Sequence, residues 1–402
     1  MDWSSHVIWW HVYPLGFVDA EREAVAEPVH RLPRLAGWLD YLLELGCNGL
    51  MLAPVFASVS HGYDTLDHYR IDPRLGDDAD FDELLAEAHA RGIRVCLDGV
   101  FNHLARSHPL IQRAIAAGPG TPEGDWLTWH EGYPWVFEGH ESLVALNLAN
   151  PEVADYVASV MNHWLARGID GWRLDAAYAA GAEAWAPILA QVRQAHPHAW
   201  VFAEVIHGDY AEFVTASGVD SVTQYELWHA IWDSLLNRNL FSLDWTLGRH
   251  RDFCATFTPL TFISNHDVTR IASKLPDPRD VALAAVLLLL LPGIPSIYAG
   301  DEQGFTGEKQ DHAYGDDAVR PPFPEHPGDL LPFGADLHRH YQELIGIRRR
   351  HPWLVDAVVS TADVTNTWIA ITLTGPEAAL VLELNLADEV VDGVEPHGWR
   401  LS

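Results

Sequence analysis

An α/β fold is predicted, a (β/α)8 barrel with a short excursion after the third strand and a small antiparallel β domain at the C-terminal end. Short β-branched and aromatic runs alternate with helically spaced apolar residues from residue 7 to about residue 350. Carboxylates and histidines recur where the β-rich runs end, which is where a barrel places its reactive groups. A doubly wound open sheet is the alternative, but it would want a Gly-rich phosphate turn after an early strand, and none is present.

The first strand is read in residues 7–13, closed by Pro14. Residues 32–45 carry Leu35, Trp38, Leu39, Leu42 and Leu43 at helical spacing, with Gly46 just past the end. A second strand at 49–53 stops at Pro54, and a loop holds HGYD at 61–64. A helix over 80–91 leads to the third strand, 93–97. Residues 104–146, rich in Gly, Pro, His and Trp, form the excursion, and residues 1–103 and 147–351 the barrel. Asn150 as N-cap and Pro151 at the first helical position open a helix to 167, followed by the fourth strand at 169–174. A helix at 183–195, the fifth strand at 200–203, a weaker strand and helix in 219–238 and the seventh strand at 260–264 continue the pattern. A helix at 280–291, the eighth strand at 296–299 and a helix at 334–350 complete it. Short β-rich runs then fill a small domain over 352–402.

A formal net charge of -31 makes polyanions poor partners, so nucleic acid and anionic membranes are excluded as expected ligands. Neutral or cationic substrates fit. Cys47, Cys96 and Cys254 are odd in number and lie outside any C-x-x-C pattern, which predicts free thiols, buried for Cys47 and Cys96. The apolar run at 281–291 is too short to cross a bilayer. No basic-then-apolar leader pattern precedes residue 7, and the expectation is a cytoplasmic protein of open oligomeric state.

The chemistry concentrates on GWRLD at 171–175. Residues i and i+2 of a strand share a side, so Arg173 and Asp175 project together, and a cation beside a carboxylate favours the ionised form. Alone this describes an ordinary strand-end ion pair. Its company changes the reading: Asp98, Asn102 and His103 close the third strand, Glu204 the fifth, and Asn265, His266 and Asp267 the seventh.

The ordered set DGVFNH (98–103), GWRLDAAYA (171–179), FAEV (202–205) and FISNHD (262–267) resembles the four signature regions of the α-amylase family, glycoside hydrolase family 13. HGYD (61–64) and PGIPSIYAGDE (292–302) are similar to further stretches of that family. The resemblance implies a retaining glycoside hydrolase with Asp175 as nucleophile, Glu204 as acid/base and Asp267 as the third carboxylate. The apolar sequence neighbours of Glu204 suit a proton donor. By the same resemblance His103 and His266 bond sugar hydroxyls, Tyr63 stacks on a sugar ring, and Asp98 positions Arg173. No cofactor is expected to be required. Asn102 resembles a calcium ligand of some relatives, but the excursion offers no D-x-D-type cluster, so calcium stays open.

The chain departs from many α-amylases at Tyr178 and Ala179, where they carry Lys-His, so contacts beyond the cleaved bond are expected to differ. Ala176 resembles relatives that prefer α-1,4 links, and the loop over 301–334 resembles those of enzymes acting on short maltooligosaccharides. The leading expectation is cleavage of α-1,4-glucosidic bonds in maltooligosaccharides or starch-like glucans. A transglycosylase, α-glucosidase or isomerase using the same covalent intermediate is the alternative, and a non-catalytic sugar-binding relative the third.

Overall fold

The computed structural model describes residues 3–312 and 314–402. Eight parallel strands form the barrel: β1 (Trp9–Val12), β2 (Gly49–Leu52), β3 (Arg94–Gly99), β4 (Gly171–Leu174), β5 (Trp200–Ala203), β6 (Ser221–Val222), β7 (Leu260–Thr261) and β8 (Ile294–Tyr298). Their order, β6-β5-β4-β3-β2-β1-β8-β7, is closed by a parallel bridge between Thr223 and Leu260. Inward residues stack in layers, as a barrel requires. Trp9 and Trp200 lie stacked at 5.5 Å among Met51, Cys96 and Phe202, and His11, Asp98 and Arg173 are the next inward residues along β1, β3 and β4. Two glycines make room for the tryptophans: a Cβ on Gly49 would lie 2.4 Å from the Trp9 ring, and one on Gly171 2.5 Å from the Trp200 carbonyl.

Most elements fall where their patterns predict, with three instructive differences. The helix expected over 32–45 is broken into Leu32–Ala36 and Leu39–Leu45, because Trp38 at the break is buried in an aromatic cluster with Trp10, Phe17 and Phe323. The HGYD loop is the turn of an antiparallel hairpin, Phe56–Ser58 with Thr65–Ile71. The weaker pair in 219–238 becomes β6 plus two helices, Tyr225–Asn237 and Leu240–Cys254.

The segment after β3 is less irregular than its composition suggests. It contains the helix Pro109–Ala117 and a small sheet in which His103–Ala105 pairs with Leu143–Ala145. The C-terminal sheet is four-stranded and antiparallel: β9 (Val358–Ala362), β10 (Trp368–Thr374), β11 (Ala379–Asn385) and β12 (Gly398–Leu401). It docks through the buried His397, whose Nδ1 meets Asp280 at 2.9 Å at the start of helix Pro278–Leu290. The three cysteines are free, Cys47 and Cys96 buried. Among the described residues no helix is long and apolar enough to cross a membrane.

Candidate active site

The carboxyls meet at the C-terminal ends of the strands, and Arg173 is their hub. Arg173 pairs in register with Asp98 of the adjacent β3, so both side chains take the same face. Its Nη1 donates to both oxygens of Asp98 (2.7 and 2.6 Å) and to Asp175 (3.0 Å), and its Nη2 meets Glu204 Oε1 at 2.9 Å. Asp175 and Glu204 immediately follow β4 and β5, and their own N–H groups continue the barrel ladder to Gly99 and Leu174. Both carboxyls are therefore carried by rigid backbone.

Glu204 does not lie among the apolar chains that flank it in sequence. Besides Arg173, Tyr225 donates to Oε1 at 3.1 Å, and the Ala176 N–H to Oε2 at 3.0 Å. Strand alternation explains the difference, since Ala203 and Val205 point to the opposite side from Glu204. The Ala176 contact is made from a left-handed backbone (φ 45, ψ 35), a conformation that costs a non-glycine residue roughly 1–2 kcal/mol. Strain of this kind collects at functional sites.

Asp267 stands opposite on the segment after β7. Its Oδ1 receives Arg320 Nη2 at 2.8 Å and its Oδ2 lies 2.7 Å from His266 Nε2. Burial works to raise the Asp267 carboxyl, but His266 and Arg320 outweigh it and hold the group well below the usual carboxylate range. Asp175 behaves differently. Burial pushes it well above its ordinary value, Arg173 pulls against this, and Glu204, Asp98 and Asp267 add repulsion. Arg173 acts on Asp175 in the expected direction, and its guanidinium is shared among three carboxyls. Asp98 is raised too, by burial above all.

Tyr63 is buried, with its hydroxyl donating to Asp98 at 2.9 Å and its ring parallel to His266 at 5.3 Å, within hydrogen-bonding reach of Nε2. His266 Nδ1 is buried with no hydrogen-bond partner among the described residues. His103 is placed beside the site but is fully engaged: Nε2 donates to the Tyr63 carbonyl at 3.0 Å, Nδ1 faces Asn102 Nδ2 at 3.2 Å, and the ring stacks on Phe137. Burial lowers it to about 4, so it is neutral. Asn102 turns its side-chain Nδ2 toward His103 Nδ1 at 3.2 Å, and its backbone carbonyl accepts from the Leu146 N–H. Neither group of His, Cys, Asp or Glu close enough to hold a metal among the described residues includes a neighbour of Asn102.

Arg320, Tyr225 and His11 escape the sequence motifs, and Tyr178, inside one of them, makes a contact the motif does not predict. Arg320 donates to Asp267 and to the His266 carbonyl and lies over the Tyr13 ring at 4.6 Å. Tyr225 links Glu204 to Asn265, whose Nδ2 donates to its hydroxyl at 3.0 Å. His11 packs edge-on against His266 and is kept neutral first by burial and then by the charges of His266 and Arg173. Tyr178 bonds Glu138 of the excursion at 2.7 Å. A surface groove of about 730 Å³ is lined mainly by small residues between outer helices, whereas a groove of about 260 Å³ opens beside Arg320, Tyr13 and His61. Chemistry rather than volume identifies the site.

A family model described as the alpha amylase catalytic domain matches residues 11–329. A cyclomaltodextrinase of a Bacillus species is 30% identical over 388 residues, 87% of this chain and 66% of the relative. Alpha-amylase 3 of Dictyoglomus thermophilum is 29% identical over 348 residues, 80% of this chain and 68% of the relative. The chain spans about two thirds of the length of these curated relatives. Among solved structures, a cyclomaltodextrinase superposes with a TM-score of 0.80 at 26% identity, covering 95% of this chain and 70% of that one. A cyclic α-maltosyl-(1→6)-maltose hydrolase from Arthrobacter globiformis covers 100% of this chain and 98% of its own at TM-score 0.85, and at 22% identity it speaks to the fold alone.

Proposed function

The chain belongs to the α-amylase family of glycoside hydrolases, and from that premise we propose that it cleaves α-1,4-glucosidic bonds of maltooligosaccharides or related α-glucans with retention of configuration. The observation that carries this reading is the pair Asp175 and Glu204, on adjacent strands and bonded to the two arms of one guanidinium. Double displacement needs two carboxyls close together, one to attack and one to carry the proton.

In the proposed reaction Glu204 protonates the glycosidic oxygen while the Asp175 carboxylate attacks C1, so the C1–O bond breaks and a glycosyl ester forms. Glu204, now ionised, takes a proton from water, and the hydroxide attacks C1 and releases Asp175. The proton is assigned to Oε2, because Oε1 already accepts from Arg173 and Tyr225. With the proton on Glu204, Asp98, Asp175 and Asp267 still outnumber Arg173 and Arg320, so the site is net negative, which favours a transition state with positive charge at C1. Asp267 and His266 are assigned to sugar hydroxyls. His103 is assigned to positioning Tyr63 and Phe137. No step passes through a metal, and the protein is proposed to act in the cytoplasm.

The test is a product profile on maltose, maltotriose, isomaltose, pullulan and starch. Glucose and maltose from α-1,4 substrates are expected. Persistent longer or rearranged sugars would instead favour transfer, and turnover confined to isomaltose would overturn the linkage.

A further inference from the structure

We propose that Trp135, with Tyr133 beside it, is a stacking platform for the part of an α-glucan chain that lies beyond the sugars at Asp175 and Glu204. This rests on the α-glucan reading above and deepens it. In the small sheet of the excursion, His103 pairs with Ala145 and Leu104 with Val144, while Val144 bridges Val136 on its other side. The Ala145 N–H donates to the Trp135 carbonyl at 3.0 Å. Cross-strand partners share a face and successive residues alternate. His103, Ala145 and Trp135 therefore make one row, with Leu104, Val144 and Val136 on the opposite face.

The row's direction is known from His103, whose Nε2 reaches the Tyr63 carbonyl, so this face is turned toward the carboxyls. Phe137, two residues after Trp135, stacks on His103 at 4.6 Å and 15°, and its neighbour Glu138 bonds Tyr178 just past the nucleophile strand. Two strand spacings put Trp135 about 10 Å from His103. Trp135 is 51% exposed and Tyr133 76%, and His130 meets the Trp135 ring edge-on at 5.6 Å.

An aromatic surface continuous with a sugar-cleaving site presents large, flat area at little entropic cost and can accept the apolar face of a sugar ring. With a net charge of -31 the favoured occupant is neutral, as a glucan is. Trp245, also exposed, lies under the Arg249 guanidinium on an outer helix and lacks this continuity.

The experiment compares kcat/KM on maltotriose and maltoheptaose for the wild type, Trp135→Ala and Trp135→Phe, with thermal unfolding as the check on folding. Trp135→Ala is expected to lose about 3- to 10-fold on maltoheptaose and less than about twofold on maltotriose, with most of the loss restored in Trp135→Phe. No loss on maltoheptaose, or an equal loss on both sugars, would overturn the platform. A wild-type enzyme that turns over neither sugar would overturn the α-glucan reading itself.

Discussion

Replacing Tyr225 with phenylalanine removes one oxygen from the site and leaves the ring in place. That hydroxyl donates to Glu204 Oε1 at 3.1 Å and accepts from Asn265 at 3.0 Å. A hydrogen bond to a charged group is worth about 1.5–3 kcal/mol. Arg173 and the Ala176 N–H still hold Glu204, so the low end applies, and about 1.5 kcal/mol is roughly a tenfold loss of rate. The loss should depend on the leaving group, because in the first displacement, which kcat/KM reports, Glu204 acts only by protonating the departing oxygen. We expect about a tenfold fall in kcat/KM on maltotriose and less than about twofold on a dinitrophenyl α-maltoside, whose phenolate leaves unaided. Equal losses on both would refute the proposed coupling and place the effect of Tyr225 on the nucleophile or on folding.

Asp98→Asn removes a charge that raises Asp175 and leaves Arg173 Nη1 to fewer carboxylates. Asp175 attacks only when ionised, so kcat/KM climbs as pH rises through its titration; the variant's acid limb should move to lower pH, and a limb that moves up contradicts the electrostatics. Arg320→Met unties Asp267 on one side, and steady-state kinetics should show KM raised about tenfold with a smaller change in kcat. Burial holds the Glu302 carboxyl at about 7, above its ordinary 4.5. The folded chain keeps this proton where the unfolded chain releases it, so stability falls with rising pH between those values, by up to about 1.4 kcal/mol per pH unit. Chemical denaturation at pH 4.5, 6 and 7 should show a shallower fall in Glu302→Gln.

The site was legible where its geometry is local. Arg173 and Asp175 sit two apart on one strand, and the structure places both on the predicted side. What comes from distant chain was not legible. Tyr225 reaches Glu204 from 21 residues away, and Arg320 is one of two cations, with Lys309, in a long loop with no periodicity to mark it. The surroundings of Glu204 were misjudged because its sequence neighbours face outward or lie below it. Helix Leu240–Cys254 was hidden by its dense polar residues, among them a buried His250 that bonds the Pro292 carbonyl. The break at Trp38 follows from packing with Phe323, nearly the whole barrel away in sequence.

Trapping the covalent intermediate tests the central claim most directly. An α-glucosyl fluoride carrying a ring fluorine forms its ester faster than it releases it, and peptide mass spectrometry then locates the sugar. One glycosyl group is expected on the peptide that contains Asp175, and none in Asp175→Asn. A glycosyl group on Glu204 or Asp267, or equal labelling of Asp175→Asn, would contradict it.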